Sequence, residues 1–185
     1  MRDMSLHVLD LVQNSISAGA SLVEIEVDEQ YACDMVSIEV CDNGCGMSLE
    51  RAQKVQDPFV TMRTTRKVGL GIPLFKAGCL GCGGTFQLES QEGAGTRVVG
   101  MCRPSHWDCP PLGDMAGSVY LLVAANPELD VRYGHRVGQG YYEFDTRQIR
   151  KILGLQVPLN TPDVQVWMKN NLDQGLKELV GGVET

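Results

Sequence analysis

The spacing of apolar residues changes twice in the first half of the chain, and each change marks an element. Over residues 5–17, Leu6, Leu9, Val12 and Ile16 recur at helical spacing, and Val8 and Leu11 widen the stripe. An amphipathic helix is expected there, with Ser5 as its N-cap and Gly19 as its stop. From residue 21 the period falls to two. "SLVEIEVDE" places Val23, Ile25 and Val27 on one face, and "MVSIEVCD" alternates likewise up to Asp42. Two strands are expected, joined as a hairpin by the acidic, polar residues 28–34. "SLERAQKV" carries a cap and a short helix, and "QDPFVTMRTTRKVGLG" has no clear period and is expected as a loop. A helix should begin at Ile72, with Pro73 in its first turn where a missing N–H is no loss, and end at Gly83-Gly84. "TFQLES" and "TRVVGMC" are expected strands around the turn "QEGAG".

Residues 103–112, "RPSHWDCPPL", hold three prolines and form the best boundary candidate. The expected division is therefore a domain over 1–103, a Pro-rich linker over 104–112 and a small α/β unit over 113–185. That unit should contain a helix from about 114 to 125, a hairpin ("LDVRYGHRV", "GQG", "YYEF"), a helix near 146–153 and a last helix from Thr161-Pro162. Val164, Trp167, Met168, Leu172, Leu176 and Leu179 share one side of the last helix and read as core. No internal repeat or low-complexity tract interrupts the chain.

Composition narrows the function. The chain has 185 residues, 43% of them hydrophobic, enough for a real core, and a formal charge of -7. An acidic protein is not expected to bind nucleic acid non-specifically. No apolar run approaches the length of a membrane span, and the start "MRDMSLHVLD" lacks the apolar core of a signal peptide. A cytoplasmic location is expected. The seven cysteines are odd in number, and without an export signal a disulfide framework is a poor reading. The only CxxC is Cys79-Leu80-Gly81-Cys82; one such pair is weak evidence for metal, and buried or half-buried free thiols are expected instead.

Four short stretches carry candidate chemistry. Asp10 and Asn14 stand one turn apart on one helical face. A carboxylate can orient or deprotonate water, and an amide oxygen can complete the shell of Mg²⁺; solvent-facing polar positions are the plainer reading of the pair taken alone. Asp42-Asn43-Gly44-Cys45-Gly46-Met47 follows a strand. Its alternating glycines allow close approach to a flat ligand, its aspartate can accept from an exocyclic amine, and "DNG" is also good turn chemistry in its own right. Gly69-Leu70-Gly71 directly precedes a helix, whose N-terminus favours anions. The loop before it reverses the local sign of charge with Arg63, Arg66 and Lys67, which suits polyphosphate. Gly93-Ala94-Gly95-Thr96 leads into a strand and is, alone, a turn.

The order of these pieces resembles the GHKL ATP-binding superfamily, which takes in gyrase-type topoisomerases, ATP-driven chaperones, histidine kinases and MutL proteins. "DLVQNSISAGAS" is similar to MutL-type sequences, and "DPFVTMR" followed by "GLGIPLFKAGCLGCGGTFQLESQEGAGT" resembles histidine kinases. The resemblance covers roughly residues 5–103. The whole chain looks most like small stand-alone histidine-kinase-like ATP-binding proteins of anaerobic bacteria. It implies an α+β fold, a two-layer α/β sandwich of the Bergerat ATP-binding type, here with a small C-terminal α/β appendage. It implies ATP and Mg²⁺ as ligands. Asn14 would bind the metal and phosphate, and Asp10 falls where hydrolytic members carry a glutamate base. Asp42 would receive the adenine amino group, with Gly44 and Gly46 shaping that wall and Thr96 assisting through water. Phe59 would pack in a closing loop, Arg63 and Lys67 would lie near the phosphates, and Gly69, Leu70 and Gly71 would present the phosphate turn. A protein partner is implied as well, of a redox or hydrogenase-related kind.

Departures from the family pattern bear on activity. Asp10 is one methylene shorter than glutamate, which draws the carboxylate back by about 1.5 Å, and misplacement on that scale can cost about 100-fold in rate. Ser17 replaces an aspartate of the MutL pattern, and a histidine-phosphoacceptor region is not expected ahead of the fold. Two functions are therefore carried forward: phosphoryl transfer to a partner protein or slow hydrolysis of ATP, and a nucleotide sensor acting through residues 104–185. Cys41 and Cys45, beside Asp42, leave redox modulation open.

Overall fold

A computed structural model gives the arrangement of residues 3–57, 70–154 and 157–182. Helix α1 (Met4–Ser17) is capped by Asp3, whose carboxylate accepts from the Leu6 amide. Ser5, the expected cap, instead lies inside the first turn and donates to Asp3: an acceptor one step earlier reaches the free amide with better geometry. The helix ends at Ala18, and Gly19 follows at φ 74°, as the stop signal required. Strands β1 (Leu22–Gln30) and β2 (Met35–Asp42) form the expected antiparallel hairpin, closed by a 3₁₀ turn over Tyr31–Cys33. Ser48 caps the short helix α2 (Leu49–Lys54). Helix α3 (Gly71–Gly81) leads to the hairpin β3 (Thr85–Gln91) and β4 (Gly95–Cys102). The remainder is α4 (Met115–Ala125), β5 (Asp130–Val137), β6 (Gly140–Asp145), α5 (Thr146–Leu153) and α6 (Pro162–Gly181).

The six strands make one mixed sheet in the order β3-β4-β2-β1-β5-β6. The Pro-rich segment does not divide this sheet, because β5 pairs in parallel with β1 over eight positions, Leu22↔Asp130 to Glu29↔Val137. The C-terminal appendage is thus joined edge to edge to the first four strands, and α4 supplies the crossover that a parallel pair requires. Alternation along β1 buries Val23, Ile25, Val27 and Glu29 under the helices. The other face is a lattice of charge: Arg132 pairs with Glu24, Glu26 and Glu143, and Arg97 with Glu39 and Glu89. Helices on one face and ion pairs on the other make two layers.

The core draws on α1, α3, α4, α5 and α6 together. In α6, Val164, Met168, Leu172 and Leu179 are buried as the stripe requires, but Trp167 is 51% exposed; it sits at the stripe's margin beside Ile152, itself on the surface. One polar relay lies inside. Glu29 accepts from His135 at 2.7 Å, His135 meets the Tyr133 hydroxyl at 2.6 Å, and Tyr31 donates to Glu29. Desolvation pushes the Glu29 carboxyl upward, yet these bonds hold it below its ordinary value.

Candidate functional site

A cavity of about 290 Å³ opens between α1, the end of β2, α2 and the start of α3. Its walls bring together Asn14, Asp42, Gly46 and Thr96 with Leu11, Val40, Ile72 and Val98. Residues more than eighty positions apart therefore meet in one cleft that mixes apolar and polar walls, as small-molecule sites do.

Asp42 reaches the cleft because it is the last residue of β2 and its backbone leaves the sheet there. Its Oδ1 accepts from the Gly44 amide at 2.9 Å and its Oδ2 from the Ser15 hydroxyl at 2.7 Å. Thr96 lies directly across the sheet, paired in register with Asp42, and its hydroxyl is 2.9 Å from that of Ser90. The turn reading of "DNG" holds at Asn43. Asp42 faces the cavity, while Asn43 builds the turn, accepting from the Ser21 and Leu22 amides and donating to the Ser21 hydroxyl.

The glycines also serve close packing of the backbone around the cavity, which Gly46 lines. Gly46 has φ 63°, and a Cβ there would come within 1.9 Å of the Gln91 carbonyl oxygen. Its bareness serves the docking of the "EGAG" turn, which also ties the Gly93 amide to the Cys45 carbonyl at 2.8 Å. Gly44 is close-packed too, a Cβ there meeting Ala18 at 3.0 Å. At Gly71, the first residue of α3, a Cβ would stand 2.7 Å from the Cβ of Asp10. Gly71 thus lets the N-terminus of α3 close against α1 at the very residue expected to act on water. Leu70 caps α3 without a side-chain bond and is 38% exposed.

Asn14 is half-buried at the wall, and its side-chain amide has no hydrogen-bond partner among the described residues. Asp10 is exposed and is not part of the cavity lining; it borders the site through Gly71. Phe59, Arg63, Lys67 and Gly69 lie outside the described residues. His7, on the same helix, packs against Phe75 with ring centroids 5.8 Å apart and serves the core. Burial depresses its basicity below the ordinary value of 6.5, against the pull of Asp10.

Two lining residues escaped the sequence reading. Ser15 is 3% exposed, and a buried hydroxyl needs a partner; a serine inside an apolar helical stripe was the available signal. Arg51 projects from α2 to the cavity and supplies a cation there. In the sequence it reads as one charge on a solvated helix, with no local cue.

Residues 2–104 match the family described as histidine kinase-, DNA gyrase B-, and HSP90-like ATPase. The chain is 30% identical over 100 residues to the non-motile and phage-resistance protein of Caulobacter vibrioides, covering 49% of this chain and 12% of that protein. It is also 30% identical over 97 residues to an uncharacterized sensor-like histidine kinase of Rhizobium meliloti, covering 50% and 18%. The chain spans less than a fifth of the length of these curated relatives. Among solved structures, the N-terminal domain of a DNA repair protein superposes with a TM-score of 0.53 at 16% identity, covering 78% of this chain and 52% of that one. That likeness shows the fold.

Proposed function

Since the chain belongs to the histidine kinase-, DNA gyrase B-, and HSP90-like ATPase family, we propose that it binds ATP with Mg²⁺ in this cavity and passes the terminal phosphoryl group to a partner protein, or slowly to water. One observation carries the reading: Asp42 and Asn14, set 28 positions apart, line a single cleft beside the start of α3. The Asp42 carboxylate would accept from the purine amine, with Thr96 beside it. Gly44 and Ser15 hold that carboxylate in place from two sides. Leu11, Val40, Ile72 and Val98 would cover the ring faces.

The unpartnered Asn14 amide fits Mg²⁺, because an uncharged hard oxygen suits that ion when phosphates supply the negative ligands. The ion, when bound, would neutralise charge on the transferring phosphoryl group. Arg51 would add a second positive group from α2, and the free amides at the start of α3 would receive phosphate oxygens. The sensor-like histidine kinase among the relatives supports a protein as acceptor, with residues 104–185 as the surface presented to it.

The second reading, a nucleotide sensor without turnover, is favoured by Asp10. Its short side chain is exposed and stands outside the cavity lining, where activating a water at the terminal phosphate would require rearrangement. Calorimetric titration with ATP and ADP, with and without Mg²⁺, tests the shared premise; absence of binding in all four refutes both readings. Release of labelled γ-phosphate then separates them. Turnover or labelling of a partner that Asp10→Ala abolishes supports transfer. A silent wild type in which Asp10→Glu hydrolyses supports the sensor.

A further inference from the structure

Three of the seven cysteines converge at the opposite end of α3 from the proposed nucleotide cavity. The sulfurs of Cys82, Cys102 and Cys109 all lie within 4.8 Å of one another. The Cys82 thiol also donates to the Cys79 carbonyl at 3.2 Å. Three separate pieces of chain supply them: the C-cap of α3, the last residue of β4, and the Pro-rich segment that follows. Cys79, Cys82 and Cys102 are buried and Cys109 is half-buried; all are free of disulfides.

One or two buried thiols are ordinary packing. Three sulfurs drawn to one point from three segments are a soft donor set, and the fold builds it from long-range contacts. Pairing of Thr85 with Met101 turns the β3–β4 hairpin back on itself, which sets Cys102 beside Cys82. Two successive turns, His106 N–H to the Arg103 carbonyl and Cys109 N–H to the His106 carbonyl, then curl Cys109 back over them. Ser105 anchors the curl by donating its amide and hydroxyl to Asp34. Tetrahedral zinc with Zn–S bonds of about 2.3 Å places its sulfurs about 3.8 Å apart, so the observed spread closes with shifts of about 1 Å.

We infer that Cys82, Cys102 and Cys109 form a three-thiolate site for a Zn²⁺ ion, with solvent completing the tetrahedron. Each thiol releases its proton to solvent as its sulfur binds, and nothing is oxidised. The three were hidden in the sequence by a hairpin of some twenty residues and an unremarkable six-residue gap. The site would clamp the far end of α3 to β4 and to the segment that holds α1, since the Pro111 and Leu112 carbonyls accept from Met4 and Ser5 at 2.9 Å.

The full chain, purified under reductant and stripped with chelator, is titrated with Co²⁺ as the probe, without nucleotide so that the outcome is independent of ATP binding. The expected result is one Co²⁺ per chain, an intense thiolate-to-cobalt band in the near ultraviolet, strong tetrahedral visible absorption, and displacement of both by Zn²⁺. Cys109→Ser should lose this spectrum; Cys33→Ser and Cys45→Ser, at exposed cysteines, should keep it. Should Cys102→Ser fail to fold, the wild-type spectrum and the half-buried Cys109→Ser still decide. No charge-transfer band in the wild type, its survival in Cys109→Ser, or a Cys–Cys crosslink among these three in non-reduced peptide mapping would overturn the site.

Discussion

Replacing Asp42 by Asn should separate ligand recognition from folding. In the native site Oδ1 accepts from Gly44 at 2.9 Å and Oδ2 from the Ser15 hydroxyl at 2.7 Å. An asparagine can keep its oxygen toward Gly44 and turn its NH₂ toward Ser15. Ser15 can then act as acceptor and turn its own proton to the Leu11 carbonyl, 3.3 Å away. Both protein contacts survive, so stability should change by less than about 1 kcal/mol. The ligand fares worse. An exocyclic amine that met a carboxylate now meets the same face bearing an NH₂, losing a charge-assisted bond of about 1.5–3 kcal/mol, which is roughly 10- to 150-fold in affinity. Calorimetry with ATP reads the loss, and thermal unfolding without nucleotide reads the fold. Ser15→Ala should weaken binding less, because the carboxylate remains. A Tm unchanged from wild type together with an ATP affinity within threefold of wild type in Asp42→Asn would refute the assignment of Asp42 to the purine.

Gly46→Ala should be severely destabilising, by about 3 kcal/mol or more, since it combines a left-handed backbone with a Cβ 1.9 Å from the Gln91 oxygen; chemical denaturation checks it, and a wild-type midpoint would show that the turn does not dock as described. Gly71→Ala should lower Tm even though alanine is the better helix former by about 1 kcal/mol, because the 2.7 Å approach to Asp10 forces α1 and α3 apart; a raised Tm would deny that contact. Stability should also fall with acidification. His7 has a folded-state pKa below its ordinary 6.5, so its contribution is complete above 6.5 and is lost as pH drops and the unfolded chain takes up the proton first, at up to about 1.4 kcal/mol per pH unit. The depressed Glu29 adds a second loss below its ordinary 4.5. Urea unfolding at pH 7.5 and 5.5, with His7→Leu flattening the difference, is the measurement; equal stability at both pH values in the wild type would contradict it.

What the sequence disclosed follows from the range over which each signal acts. Elements set by local period and caps, such as α1, β1, β2 and α6, were legible to within a residue or two, because alternation and helical spacing are properties of ten neighbouring side chains. The aspartate at the end of β2 and the asparagine on α1 were legible as a pattern, since strand end and helix face fix where such residues can point. The partners were not. That Ser15 holds Asp42 depends on how α1 lies over β2, and that Gly46 serves Gln91 depends on a hairpin 45 residues later. The parallel pairing of β5 with β1 escaped for the same reason: the proline cluster is a true local signal of irregular chain, but a sheet can continue across it once a helix carries the chain back.

These long-range contacts also decide what the proposed site can do. The distance between α1 and α3 sets the gap between Asn14 and the amides that open α3, and the phosphate tail of a nucleotide would lie in that gap. Two features fix the distance. At the near end, Gly71 brings α3 against Asp10 with no side chain to spare. At the far end, α3 runs into the cysteine cluster, and the segment carrying Cys109 goes on to bond the first turn of α1 through Pro111 and Leu112. A helix held at both ends can tilt only if one hold yields. The near hold is a van der Waals contact beside the cavity, which a ligand's own charge can shift; the far hold is covalent chain and buried sulfur. Movement on nucleotide binding should therefore pivot about the cysteine end and open or close at Gly71, which is the end where Asp10 stands. Such a pivot would carry the exposed Asp10 toward the phosphates.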